Sequence, residues 1–577
     1  MTIPSPLYPW LVASLAFVVY LSSEMMHPGD SPPNIYTALS QVEEGNSLIT
    51  PKETPFLFRW RLHVGKESSD IAIQEMDDRI ERWIDEGVID CVGPYAHLVG
   101  TQKPGFYLST FGPGTGTIAS PFLWLARCVV GDLRERCDVL WWVGRIVGAL
   151  CVAGSVAFLF LFAAERSDRN VAMIVSLLYA FGTCVWSTSS QGLWQHSPNG
   201  LFLSASIYAF TRSKKNQDAA FWCGVAISAA TWCRPTSALF AMAYLVSYAL
   251  SDQKLARRFF AGTLPLAVCL AAFNHQQLGS PLRFGQSEMG SLAVEKTGKE
   301  GVFQTPIQVG AAGLLISPSR GLFVYSPFLA FAIPGVWAIL VRGRIPELRP
   351  AMIAMLIIWM IEFKHFDWWG GWSFGYRHLV DSTFLLSAAL VVTIPPLLHV
   401  VILRNIFIGL AIWSICIQVL AIAAYDIGSW NARRAFEVTA PTGEQKLYWD
   451  QASIGKTQGS LIREIQMDID HPNYRHRLWS WNDNQIGYLT AHFKESQEER
   501  RKGNAVFLRP KSAKLAAFHE LIGRKWIEAK DLARAQDALA GAQSHGSSSH
   551  ELARMIEDAR AKEAGGPPAS RLGHSWR

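Results

Sequence analysis

The chain has few charged residues, and no basic residue comes before Lys52. Charged types make up 17% of its 577 residues, hydrophobic types make up 50%, and the mean hydropathy is +0.14. A typical soluble domain has about 25% charged residues. The composition excludes a disordered chain, and the net charge of +6 is small for a nucleic-acid-binding module of this length. These values indicate a polytopic membrane protein.

Cysteine is scarce as well, and nine residues of this type do not make a disulfide framework. Six of them lie in apolar runs, where buried thiols are expected: Cys151, Cys184, Cys223, Cys233, Cys269 and Cys416. The other three, Cys91, Cys128 and Cys137, have polar neighbours. A disulfide between two of these three is an open alternative if the region is extracytoplasmic.

Most of the charge falls in two segments, with 41 of the 100 charged residues in 427–577 and 16 in 51–95. The rest of the chain contains eleven apolar runs that we predict to span a membrane, each near the ~20 residues that a helical span needs. They are 7–21, 141–164, 171–188, 197–211, 219–232, 236–250, 258–273, 322–341, 350–364, 379–398 and 403–425. The first is expected to stay uncleaved, because no basic residue precedes it. Residues 116–130, interrupted by Pro121 and Arg127, predict an interfacial helix.

Basic residues occur in alternate connections between these runs. They are Arg166, Arg169, Arg212, Lys214, Lys215, Lys254, Arg257, Arg258, Arg342, Arg344, Arg349 and Arg404. Because cytoplasmic loops are enriched in Lys and Arg, the N-terminus is predicted to be cytoplasmic and the C-terminus extracytoplasmic, in the plasma (inner) membrane. The outer face would then carry a large first loop at about 24–140, the turn 194–196, and the loops 274–321 and 365–378.

The first loop offers a carboxylate close to the membrane surface. A helix is predicted from Asn34 to Glu44, and Asp30 or Ser31 is placed to cap it. The alternative is that Asp30 takes a proton from an acceptor hydroxyl. Further along, residues 103–116 contain four Gly and two Pro and form either a plain re-entry loop or a segment that a ligand can approach closely. Residues 70–90 predict an acidic amphipathic helix.

Four arginines lie at membrane depth or just outside it: Arg145, Arg234, Arg320 and Arg377. A buried guanidinium is costly without an anionic partner or a water-filled cavity, so each either forms a structural ion pair, snorkels to the membrane interface or belongs to a phosphate-binding site. The segment 367–373, which contains Asp367, three Trp and paired Gly, forms either an aromatic belt or a flat surface for stacking a sugar. Neither metal-ligand spacing nor a nucleotide-binding Gly-rich turn is present.

Taken in order, these motifs resemble the GT-C superfamily of membrane glycosyltransferases, particularly the protein-mannosyltransferase-like and Rgt-type enzymes. The resemblance covers about residues 8–490 and implies a GT-C-like, all-α helical bundle. The motifs that carry it are Gly29-Asp30, Gly112-Pro113-Gly114, 182–186, Trp194-Gln195-His196, Arg234-Pro235, Asn274 with Gly279-Ser280-Pro281, 317–321, Gly370-Gly371 with Arg377, Trp430-Asn431 and Trp479-Ser480-Trp481.

The resemblance implies an extracytoplasmic site that transfers a sugar from a polyprenyl-phosphate or related lipid-phosphate donor to a glycan, lipid or protein acceptor. Asp30 would be the general base. Many members carry a second acid in the first loop, for which Glu24 and Glu43 are the candidates, and a divalent metal ion is an open alternative. The residues expected to bind substrate are Lys103, Tyr107, His196, Arg234, Arg320, Asp367, Trp372 and Arg377, with the arginines and Lys103 on the departing phosphate.

The chain is thus expected to have three parts. Residues 1–426 form the transmembrane part, 427–510 a small extracytoplasmic unit, and 511–577 a helical tail broken at 541–549. That tail is either one tetratricopeptide-type hairpin or a simple amphipathic tail. Two other functions remain open, namely a transporter or flippase for lipid-linked or anionic sugars and a glycan ligase or polymerase. The paired halves typical of transporters are missing from the sequence.

Overall fold

The computed structural model describes residues 7–26, 30–64, 67–94, 97–448, 454 and 461–563. Its helices are α1 (Tyr8–Leu21), α2 (Ser31–Glu43), α3 (Asp78–Asp85), α4 (Gly114–Val130), α5 (Cys137–Ala164), α6 (Arg169–Gly182), α7 (Cys184–Ser187), α8 (His196–Arg212), α9 (Asp218–Cys233), α10 (Ala238–Ser251), α11 (Gln253–Leu278), α12 (Gly290–Thr297), α13 (Ile307–Ile316), α14 (Leu322–Tyr325), α15 (Ala332–Leu340), α16 (Arg349–Lys364), α17 (Thr383–Leu398), α18 (Val401–Ala424), α19 (Gln485–Ala491), α20 (Phe493–Phe507), α21 (Lys511–Glu528), α22 (Leu532–Ser544) and α23 (His550–Glu563). Its strands are β1 (Phe58–Val64), β2 (Glu67–Ile71), β3 (Ile89–Pro94), β4 (Leu98–Gly100), β5 (Tyr107–Ser109), β6 (Ala432–Thr439), β7 (Gln445–Tyr448) and β8 (Leu461–Asp468).

All eleven predicted runs are largely helical, but they differ in length. Within the described residues, four helices are long and apolar enough to cross a membrane, namely α5, α11, α18 and Arg377–Leu398. A fifth is obtained if α6 and Cys184–Gln191, which meet at 43°, count as one span. The other runs give shorter helices, such as the 14-residue α1 and α10. The structure therefore shows a multi-pass helical bundle, and the number eleven stays a prediction.

The basic connections meet at one end of the bundle. Arg258 pairs with Asp218, and Arg212 lies 3.0 Å from Glu165. At the same end Arg169 lies over the ring of Tyr8, at the start of α1. This grouping agrees with the alternation of basic loops along the sequence. Which side of the membrane that end faces stays a prediction.

The first loop folds into a small mixed unit, so the expectation of an all-α chain is wrong here. Strands β2, β1 and β3 form an antiparallel sheet, and β4 pairs with β5. Alternate side chains of β1, Phe58, Trp60 and Leu62, are buried, as a half-buried strand requires. The helix predicted over 70–90 is shortened to the eight residues of α3, because its ends pair in β2 and β3.

The polar C-terminal residues form two further units. Strands β7, β6 and β8 make an antiparallel sheet between 432 and 468, which the sequence predicted only as a small folded unit. Helices α21–α23 pack together and bury an apolar face against α3, where the rings of Trp83 and Trp526 are 4.5 Å apart. The tail is thus neither a lone hairpin nor a free helix pair. Helix α22 extends to Ser544, so the break in the tail is shorter than predicted, and 564–577 lie outside the described residues.

The proposed disulfide in the first loop is absent, since Cys91, Cys128 and Cys137 are all free. Cys91 is exposed on β3 and Cys128 is exposed on α4. Cys137 instead contacts Lys514, with Sγ 3.7 Å from Nζ.

Candidate active site

Asp30 lies at the N-terminus of α2, but its side chain does not cap the helix. It forms an ion pair with Arg377, and His97 Nε2 lies 3.3 Å from its Oδ1. The side chains of Asp30 and Arg377 are only 10% and 11% exposed. The interpretation of Asp30 as a plain cap is therefore wrong, because its side chain makes no bond to the start of α2 and pairs with Arg377 instead. Gly29 lies outside the described residues.

Asn34 fixes the first turn of α2. Its Nδ2 donates to Leu193 O at 2.9 Å and to Asp30 O at 3.3 Å, and its Oδ1 accepts from Ser109 Oγ at 3.2 Å. These bonds join α2 to the turn before α8 and to the end of β5. The backbone that carries Asp30 is thus held by two other parts of the chain.

His97 reaches Asp30 from a strained backbone. Its φ is +59°, in the left-handed region that non-glycine residues rarely occupy. Its carbonyl accepts from Thr110 N at 2.8 Å, and its ring lies 4.9 Å from that of Phe111. Such strain persists only where the surroundings fix the residue, and it is often found at functional sites.

Arg377 is positioned by Trp194 and by the paired glycines. Its guanidinium lies 5.3 Å from the Trp194 ring centre. Gly370 has a φ of +72°, and a Cβ added there would lie 3.0 Å from Arg377 Cγ. The Gly370-Gly371 motif thus serves to let the loop pass Arg377 closely.

A second buried network lies at the adjoining helix ends. Arg234 pairs with Asp381, and its Nη2 donates to Glu362 Oε1 at 2.5 Å. His378 Nδ1 lies 2.8 Å from Glu362 Oε2, and His196 Nδ1 lies 3.2 Å from Asp381. Arg234 is thus placed between two carboxylates, which favours a role in positioning the neighbouring His378 and Arg377 over direct phosphate binding.

Arg320 is fully buried and saturated by protein acceptors. Its Nε donates to Trp369 O at 2.6 Å, and its Nη2 donates to Gly371 O and to Asn431 Oδ1, both at 3.0 Å. This geometry holds the 369–371 loop in place and favours a positioning role. The fourth arginine, Arg145, is held less completely, because its Nη2 donates to the carbonyls of Tyr20 and Ser23 while its buried Nε and Nη1 have no hydrogen-bond partner among the described residues.

The loop 365–376 packs inward. Asp367 Oδ1 accepts from Gly371 N at 3.1 Å, which closes the turn. Trp368 and Trp369 are buried, so neither presents a free face for a sugar. Trp372 is half-buried, and its Nε1 donates to Asp468 at 2.8 Å. Only Trp372 among the three is left as a candidate for contact with substrate.

Lys103 and Tyr107 lie in the first loop, where both make aromatic contacts. Lys103 is exposed with its Nζ 3.8 Å above the ring of Phe106. Tyr107 belongs to β5, where its ring contacts that of Phe58 at 4.9 Å, and burial raises its pKa. Both contacts explain the two residues structurally, and their binding roles stay predictions.

Two openings adjoin the Asp30 region. A small cavity lies between Trp194 and Trp372 and is also lined by Gln191 and Tyr425. A mainly apolar groove runs from Thr37 and Ser109, which flank Asn34 and its partners, to α9 and α11. It is lined by Leu108, Thr110, Gly112, Pro113, Thr231, Trp232, Pro235, Leu270, Phe273, Asn274, Leu278, Phe284 and Gly285. The groove therefore joins several of the separate sequence motifs.

The two candidates for a second acid are engaged in other ion pairs. Glu24 binds Arg500 and Arg501, which outweigh the effect of burial and lower its pKa. Glu43 lies 3.3 Å from Arg127.

Sequence reasoning missed His97, Asp381, Glu362 and His378. The two acids had a signal, since each is an ionisable side chain at the edge of an apolar run. The rule that singled out the arginines applies to them equally. No signal in the sequence pointed to His97, because only the fold brings it to Asp30.

Comparisons with known proteins give a family match and a similar solved structure. Residues 135–275 match the family model of dolichyl-phosphate-mannose-protein mannosyltransferases. Among solved structures, the chain is similar to the oligosaccharyltransferase of Archaeoglobus fulgidus, whose crystal structure has a tethered acceptor peptide containing the NVT sequon. That similarity has a TM-score of 0.41 with 14% identity, and it covers 72% of this chain and 55% of the other. A search of curated proteins finds no match. The match over 135–275 confirms the predicted resemblance to membrane glycosyltransferases of the GT-C superfamily.

Proposed function

We propose that this protein is a membrane glycosyltransferase that moves a sugar from a polyprenyl-phosphate-linked donor to an acceptor hydroxyl on the extracytoplasmic face. The observation that supports this most is the buried contact of Asp30 with Arg377 and His97. One carboxylate and one guanidinium are the base and the phosphate partner that such a transfer needs.

In the proposed reaction, Asp30 removes the proton of the acceptor hydroxyl as its oxygen attacks the anomeric carbon. The bond between that carbon and the phosphate oxygen breaks, and the lipid phosphate departs as an anion. Arg377 stabilises the negative charge that develops on this phosphate. Donor binding would draw Arg377 from Asp30, which would leave the carboxylate to accept the proton.

The two openings suggest where the reactants bind. The cavity between Trp194 and Trp372 reaches Arg377 through the Trp194 ring and has room for about one water molecule, so the donor sugar and its phosphate would bind there only after side chains move apart. The apolar groove along α9 and α11 has the chemistry to hold a polyprenyl chain but is equally narrow, and it would have to widen in the same way.

The test is sugar transfer by the purified full chain in detergent, from a panel of polyprenyl-phosphate sugars. Asp30→Asn is expected to lower transfer by about 10²- to 10⁴-fold, as the loss of a general base does, while donor binding is retained. Asp70→Asn is the matched control, because Asp70 is an exposed carboxylate in the same loop, with a side chain 82% exposed. A parallel reaction with chelator tests the metal ion.

Equal transfer by Asp30→Asn and the wild type would reject Asp30 as the base. Donor binding without transfer for every sugar in the panel would instead favour a transporter or flippase. Transfer of whole glycan chains in place of single sugars would favour a ligase or polymerase.

A further inference from the structure

Three side chains with metal-binding atoms meet outside the candidate active site. Asp77 Oδ2 lies 2.7 Å from His519 Nε2 and 2.9 Å from His545 Nε2. All three ligand atoms lie within 4.8 Å of one another, and no other group of His, Cys, Asp or Glu in the described part of the chain meets this criterion. Asp77 belongs to the first loop, while the histidines come from the C-terminal helices.

The surrounding structure fixes these side chains. Asp77 Oδ1 accepts from Ile80 N at 2.9 Å and caps α3, which turns Oδ2 toward the histidines. His519 is fully buried, and its ring is parallel to that of His545 within 7° at 5.8 Å. A Cβ added at Gly541 would lie 2.7 Å from His519 Nδ1, so α22 packs directly on this ring.

Two imidazoles and one carboxylate favour a transition-metal ion over calcium or magnesium, which prefer oxygen ligands. Zinc binds His nitrogen at about 2.0–2.1 Å with tetrahedral geometry, which places ligand atoms about 3.3 Å apart. The observed separations from Asp77 are about half an ångström shorter. The half-buried His545 can retreat by that distance, and because His519 is fully buried, its separation from Asp77 has to widen by a shift of the Asp77 carboxylate.

A fourth ligand is available from solvent. Asp77 and His545 line an open cavity of about 520 Å³, together with Asp78, Arg79 and Lys511. Arg79 pairs with Asp537 at 3.2 Å, which offsets its charge. The cavity is therefore both a route of entry for an ion and a source of a water ligand.

We propose that Asp77, His519 and His545 bind one divalent transition-metal ion of the zinc type. The ion joins the first-loop unit to the C-terminal helices, and it is independent of the proposed transfer reaction. Because it binds only the assembled units, it stabilises their packing by mass action.

The test uses the purified full chain, stripped with chelator and titrated with ZnCl₂. The wild type is expected to bind one equivalent at micromolar concentration, to gain thermal stability, and to give the intense visible absorption of tetrahedral Co²⁺ when CoCl₂ is used. His545→Gln is expected to bind zinc at least about 100-fold more weakly than the wild type. Loss of a direct ligand should cost more than the 10- to 100-fold lost when a residue that only hydrogen-bonds to a ligand is replaced. His550→Gln, at an exposed histidine beside the cluster, should bind like the wild type.

Gly541→Ala is a second variant, which keeps all three ligands but displaces His519, and it is expected to weaken zinc binding too. Absence of a saturable zinc equivalent in the wild type would overturn the proposal, as would equal zinc affinity in His545→Gln. If both variants fail to fold, the visible spectrum of the wild type with Co²⁺ decides between the outcomes. A spectrum typical of octahedral Co²⁺ would overturn the proposed site.

Discussion

Arg377 and Asp30 form a buried ion pair although 347 positions separate them in the chain. Each residue comes from a different motif, one following α1 and the other preceding α17. The pair is held by Trp194 on one side and by His97 on the other. It joins the first loop to the segment that leads into α17.

Replacing either partner of this pair should lower the free energy of unfolding substantially. Replacing both should lower it by less than the sum of the two single effects. Arg377→Gln or Asp30→Asn leaves an uncompensated buried charge, for which about 3–5 kcal/mol is typical. The double variant leaves two neutral side chains. A double-mutant cycle on the stability of the purified protein measures the coupling, and strictly additive effects would contradict a direct interaction.

Gly370→Ala should lower both stability and transfer. A left-handed φ costs an L-residue about 1–2 kcal/mol, and the new Cβ would press on Arg377. Gly409→Ala is the control, because Gly409 lies on α18 with open space around its Cβ position. The readouts are the thermal midpoint and the transfer rate. Equal behaviour of the two variants would show that the loop adapts freely.

Arg320→Lys keeps the positive charge, but the lysine ammonium cannot donate hydrogen bonds to all the acceptors that the Arg320 guanidinium binds. Each buried acceptor left without a partner costs about 1–3 kcal/mol, so the thermal midpoint should fall. Donor binding by the folded protein should persist, because Arg320 is a positioning residue. An unchanged midpoint together with lost donor binding would instead assign Arg320 to the phosphate.

Stability should depend on pH through His365, which lies in the loop beyond α16. Burial, and then the neighbouring His378, lower the pKa of His365 to about 4, although Glu362 and Asp367 oppose this. The folded state thus favours the neutral ring. The neutral ring therefore contributes its full share to the free energy of unfolding above a pH of about 6.5, the pKa of histidine in the unfolded chain. That share is lost as the pH falls from there towards 4.

Thermal midpoints of the wild type between pH 7.5 and 4 measure this dependence. His365→Gln should reduce the number of protons taken up on unfolding by up to one, which makes the pH dependence of the thermal midpoint flatter. His399→Gln, at an exposed histidine, should leave it as it is. A wild-type curve that is already flat over this range would contradict the assignment.

The amphipathic and apolar patterns were sufficient to predict the helices of the bundle. Burial in a membrane demands apolar runs, and these are readable locally. The same reasoning failed for residues 70–90, whose helical periodicity was overridden at both ends by pairing with β1. It also favoured a capping role for Asp30, because a helix cap can be recognised from neighbouring residues and an ion pair with the distant Arg377 cannot.

The sequence by itself determined a multi-pass helical protein, the separation of polar units from the bundle, and a set of residues with the right chemistry. Tertiary structure alone decided which of them meet. It placed Arg377 on Asp30, enclosed Arg234 between Asp381 and Glu362, and saturated Arg320 with carbonyls. The reason is physical: residue type fixes what a side chain can bind, but its partners are set by contacts between segments hundreds of residues apart.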